Sequence, residues 1–157
     1  MAVALKPGGI GVLSTMGNMR RPVTHFLITK HIFPGGCIPG VAETLELLEE
    51  YGLHVVDIES LRHHYYLALE DWYAHFMKNW HKIQQIDPQR FNESFRRKWT
   101  FYLLVSAESF RNEREGLDVF HIVFTKGRST NYYPTNRGFL YDEKRHAVDS
   151  ARKKSYK

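Results

Sequence analysis

Leu5-Lys6-Pro7-Gly8-Gly9-Ile10-Gly11-Val12-Leu13-Ser14 decides the fold of this chain. Pro7, Gly8 and Gly9 break any regular element and read as a turn. Ile10 to Ser14 is then a short apolar run, which reads as a buried strand. A buried strand needs neighbours on its edges, and an apolar edge left open invites pairing with another chain.

Working outward, residues 17–39 show no clear period and carry Pro22, Pro34, Gly35, Gly36 and Pro39. They are expected to form a long loop, which in a compact domain is commonly a functional lid or a disordered segment. Gly40 to Tyr51 reads as a helix, with Val41, Leu45 and Leu48 on one face and Gly52 as its stop. Leu53 to Ile58 is a strand candidate. Tyr65, Leu69, Trp72, Phe76, Trp80 and Ile83 recur at helical spacing. Asp87-Pro88 is expected to start the next helix, since Asp caps and Pro suits the first position. Phe91, Phe95, Trp99, Tyr102 or Leu103, Ser106 and Phe110 continue that stripe. Val119 to Thr125 is apolar on both faces and reads as a buried strand. The order is strand, loop, helix, strand, two long helices, strand. This is an α/β pattern with too few strands to be a whole sheet.

Composition sets limits. The 157 residues suit one domain of ordinary size. No apolar run approaches the roughly 18 residues of a membrane span. Met1 to Leu5 is too short for a signal peptide, so the expected place is the cytoplasm. A single Cys37 excludes an internal disulfide and a cysteine-based zinc site. His63 and His64 are adjacent and do not share a helix face, so no metal is expected. From Asp142 onward six Lys or Arg face three acids, so the tail carries +3 of the net +5. Two segments follow: residues 1–141 as a domain, and 142–157 as a basic, disordered tail. Such a tail suits an anionic membrane surface or a solvated end. With one aromatic, Tyr156, it makes a poor nucleic-acid binder.

Several stretches resemble one family. Lys6-Pro7-Gly8-Gly9 followed by a strand is similar to the approach to the fifth strand of S-adenosylmethionine-dependent methyltransferases. Lys30-His31-Ile32-Phe33-Pro34-Gly35-Gly36-Cys37-Ile38-Pro39 resembles the lid segment of the cyclopropane fatty acid synthases. His64-Tyr65, Arg97-Lys98-Trp99, Phe101-Tyr102-Leu103 and Phe110-Arg111 follow in that family's order. Pro134, Arg137, Leu140 and Tyr141 resemble its closing segment. The resemblance covers residues 5–141.

The resemblance implies the C-terminal part of a class I, Rossmann-like methyltransferase fold with a helical lid or insertion. It also implies a reaction: methyl transfer from S-adenosylmethionine to the double bond of an unsaturated phospholipid acyl chain, with bicarbonate as base. Carried over by position, Tyr65 matches the tyrosine that holds the bicarbonate. Met16 and Ser14 match two further positions of that pocket, where the family usually has isoleucine and histidine. Phe33, Pro34 and Gly35 fall on the acyl side. The family's glycine-rich cofactor loop lies upstream of Lys6-Pro7-Gly8-Gly9. No cofactor is therefore expected on this chain alone, and it is expected to be inactive without an amino-terminal partner half. A peripheral place at the membrane and self-association fit the same picture. One other class stays open: a non-catalytic module that binds lipid or a partner protein through its aromatic helices.

Overall fold

The structure is a computed structural model that describes residues 2–20, 26–112 and 116–127, all within one unit from Met1 to Gly127. Among the described residues, seven elements follow in chain order. They are β1 (Ile10–Asn18), α1 (Phe26–His31), α2 (Val41–Glu50), β2 (Leu53–Ser60), α3 (Arg62–Ile86), α4 (Glu93–Arg111) and β3 (Leu117–Lys126).

β3 is the centre of the sheet. It pairs antiparallel with β1 on one side and β2 on the other, in the order β1-β3-β2. Its period-two pattern feeds two cores. Phe120, Ile122 and Phe124 pack with Leu48 of α2 and Leu53 of β2, and β1 adds Leu13 to that face. Val119 points the other way and joins Leu69, Phe76, Leu103, Ala107 and Phe110 of the α3–α4 hairpin. Truncating Phe110, a fully buried ring, is expected to cost about 3–5 kcal/mol.

The hairpin is fastened at both ends. At its turn, the Asn92 side chain accepts a hydrogen bond from the Phe95 backbone N–H at 3.1 Å and caps α4. At its mouth, Arg62 of α3 donates to the Phe110 carbonyl at 2.6 Å and to the Asn112 carbonyl. Those carbonyls lie at the end of α4, where no intrahelical partner exists. Between the fastenings runs an aromatic ladder. Phe76 meets Trp80, Trp80 stacks on Phe95, and Phe95 stacks on Trp99 with ring centroids 5.6 Å apart.

Four expectations need correction. The strand at Ile10 runs on to Asn18, and its first half is not buried: Ile10 is 45% and Val12 61% exposed. Its neighbour comes from downstream, since β3 covers one edge. Among the described residues, the outer edge is met only at its end, where Asn18 bridges to Gly40. The expected loop at 17–39 contains the end of β1 and all of α1. Asp87-Pro88 does not start α4. Asp87 does accept from the Gln89 and Arg90 backbone N–H groups, but the turn stops after one round and Asn92 caps the helix instead. β2 and β3 are each longer than their apolar runs suggest. Residues 134–141 and the tail, with the boundary expected between 141 and 142, lie outside the described residues.

Candidate functional site

The site grows from the segment that follows α1. The Ile32 and Phe33 backbone N–H groups both donate to the Ile28 carbonyl, which ends the helix. Gly36 then donates to the Phe33 carbonyl at 3.0 Å. This makes a four-residue turn with Pro34 second and Gly35 third. Gly35 sits at φ +74°, the conformation that position requires and that glycine adopts without strain. The turn presents Phe33 to α4, where its ring stands edge-on to Tyr102, centroids 5.7 Å apart at 83°.

Behind Phe33 is a cavity of about 300 Å³ with mostly apolar walls, among them Met16, Ile28, Phe33, Tyr102 and Ser106. A second cavity of about 360 Å³ lies on the other side of Ile28 and Tyr102, which line both. Tyr102 holds its proton above the ordinary tyrosine value of 10.0. Burial is the main cause and the nearby Tyr65 adds to it, while a hydrogen bond with Ser106 works the other way. Tyr65 is thus near enough to Tyr102 to act on it, although it does not line the cavity.

The residues singled out from the sequence are brought together only in part. Met16 and Phe33 line the first cavity. Tyr65 packs against the same core as Met16, with its ring 5.0 Å from that of Phe110 and edge-on to Trp72. Pro34 and Gly35 are exposed and shape the turn without entering the wall. Ser14 is exposed on the same sheet face as Met16, two residues back, and outside the cavity lining. Its cross-strand partner is His121, whose Nδ1 lies 3.9 Å from Oε2 of Glu59. Cys37 is an exposed free thiol at the cavity. Phe76 is core and Trp80 packs on it, so that stripe is structural over those two residues.

Tyr102 and Ser106 were not singled out as site residues by sequence reasoning. The stripe through Tyr102 or Leu103 was legible as helical. Which of the two faces the core was not, because adjacent residues differ by about 100° around a helix. Leu103 takes the core and Tyr102 the cavity.

The walls of both cavities carry no carboxylate to bind a ribose. Gly35-Gly36 sits in a turn after a helix, not between a strand and a helix. These residues do not fit S-adenosylmethionine. The hydroxyls beside the first cavity do suit a small anion as hydrogen-bond donors. Among the described residues, no three His, Cys, Asp or Glu come together to hold a metal, and no helix is long and apolar enough to cross a membrane.

The fold is the C-terminal part of an S-adenosylmethionine-dependent methyltransferase fold. It superposes on the cyclopropane synthase MmaA2 from Mycobacterium tuberculosis with a TM-score of 0.69 at 24% identity, over 80% of this chain and 47% of that one. A putative sarcosine dimethylglycine methyltransferase from Galdieria sulphuraria shares the fold at a TM-score of 0.64 and 18% identity, over 82% of this chain and 45% of that one. Within that class the chain belongs to the mycolic acid cyclopropane synthetase family, whose sequence profile matches residues 2–122. It is 31% identical over 124 residues to the cyclopropane-fatty-acyl-phospholipid synthase of Escherichia coli K12, across 78% of this chain and 31% of that protein. The chain therefore spans about a third of the length of that curated relative.

Proposed function

We propose that this chain is the acyl-binding part of a cyclopropane-fatty-acyl-phospholipid synthase-like methyltransferase, which acts with S-adenosylmethionine on the double bond of an unsaturated acyl chain. One observation carries the reading: Met16, Phe33 and Tyr102 wall a single apolar cavity, and Tyr65 packs on the same core as Met16. An acyl chain gains by leaving water for such a surface. Excluding water also protects a cationic centre formed at the double bond.

In this reading the hydroxyls of Tyr65 and Tyr102 hold a small anionic base beside the cavity, bicarbonate in the family's chemistry. Phe33 closes the entrance. Ser14 stands where the resemblance implies a histidine, and His121 supplies an imidazole from the opposite strand on the same face. The cofactor is held by an amino-terminal half, which joins along the outer edge of β1, and the chain alone does not turn over. That open edge also supports a non-catalytic role as one subunit of a split enzyme.

A photoreactive oleoyl probe tests the acyl pocket on the chain by itself. Crosslinks should map to residues 28–39 and 102–109. Crosslinks confined to α2 or to β2 would remove the pocket reading.

A further inference from the structure

The second cavity opens on a surface of unusual composition. α1 leaves Phe26 64% exposed, and the outer side of α4 leaves Phe101 44% and Leu104 47% exposed. Phe101 and Leu104 are three apart and so neighbours on α4. Phe101 also lines the cavity, together with Arg97 and Lys98. Single exposed apolar residues are ordinary, but three of them on the two helices that form one apolar cavity mark an interaction site.

Cations stand among these apolar groups. Lys30 places its ammonium 5.2 Å from the Phe26 ring centroid. Arg97 is exposed and reaches Glu93 at 3.2 Å. Lys98 has no carboxylate within ion-pair distance among the described residues. Long basic side chains beside exposed aromatic rings match the boundary between phosphate headgroups and acyl chains. There the rings enter the apolar zone and the cations stay with the phosphates.

We propose that α1 and the outer face of α4 form the surface by which this chain docks on an anionic phospholipid bilayer, with the second cavity opening toward the lipid. The proposal rests on the acyl-pocket reading above and adds the direction from which the lipid enters. Ile28 and Tyr102, shared by both cavities, then separate the bilayer-facing cavity from the site beside Met16.

Co-sedimentation of the full chain with vesicles tests it. Vesicles of phosphatidylglycerol and phosphatidylcholine are compared with phosphatidylcholine alone at low salt. The chain should prefer the anionic vesicles. The double substitution Lys98→Glu with Phe101→Ser should weaken that partition by at least about tenfold, with far-UV circular dichroism unchanged. Lys98→Arg should bind as the parent does. Lys6→Glu, in the turn before β1, should stay within about twofold. The basic tail is the same in every variant, so the differences report the face. Parent-like binding by the double variant, or an equal loss with Lys6→Glu, would overturn the proposal. A chain that docks through this face yet takes up no oleoyl probe would uphold the face and sink the pocket reading alone.

Discussion

Ser14 of β1 faces His121 of β3 across the sheet, and Glu59 of β2 stands 3.9 Å from the His121 imidazole on its other side. Directly opposed residues in an antiparallel pair have Cβ atoms about 5 Å apart. An imidazole absent at position 14 is therefore present one strand away. His121→Ala should lower methyl transfer by roughly ten- to a hundredfold, the worth of one hydrogen bond to a charged group. Its effect on stability should be small, since the side chain is half-exposed. Adding Ser14→His to that variant should restore most of the rate. Steady-state turnover of the reconstituted enzyme is the measurement. A rate unchanged by His121→Ala would end the assignment.

Tyr65 offers a cleaner separation of packing from chemistry. Tyr65→Phe keeps the ring contacts with Phe110 and Trp72 and removes only the hydroxyl. Denaturant midpoints should barely move, while turnover should fall by ten- to a hundredfold. Turnover within twofold of the parent would make Tyr65 a core aromatic and nothing more.

Tyr102 makes stability depend on alkaline pH. Burial first, and Tyr65 second, keep its proton on above the value of 10.0 that an unfolded tyrosine would show. The folded chain thus retains a proton that the unfolded chain gives up. This contribution is whole below about pH 10 and is lost as pH rises from there through the higher folded value. Urea midpoints taken from pH 8 to pH 11 should fall more steeply for the parent than for Tyr102→Phe. Parallel curves would contradict this.

Gly11 marks a point of close approach in the sheet. A Cβ built there lies 2.6 Å from Cε2 and Cζ of Phe124, a buried ring with little room to move. Gly11→Ala should destabilise the unit by about 1–3 kcal/mol, read as a lower denaturant midpoint. Unchanged stability would mean that β1 and β3 can separate at this end.

Much of this arrangement was legible in the sequence, for identifiable reasons. The spacing from Tyr65 to Ile83 could only be a helix, and α3 runs through it. The apolar run from Val119 had no polar face, and β3 is the central strand. Other features depend on tertiary contacts that periodicity does not carry. Val12 reads as buried because it is apolar, yet it is 61% exposed, since its side chain lies on the sheet face opposite the Leu13 core. The Asp87 side chain makes a proper capping pattern, but the chain turns away after one round. Which of Tyr102 and Leu103 would face the cavity depends on where Phe33 packs. Met16 and Phe33 could be placed at the site only through family resemblance, because nothing in their local spacing links residues 17 positions apart.

The central claim is that this chain carries the acyl side of a methyltransferase whose cofactor side lies on another half. The direct measurement is transfer of a labelled methyl group from S-adenosylmethionine to vesicles of unsaturated phospholipid, with the chain alone and with an amino-terminal half from a relative added. The chain alone should transfer nothing and the pair should transfer label to the lipid. Transfer by the chain alone, or none by a pair shown to associate, would contradict the account.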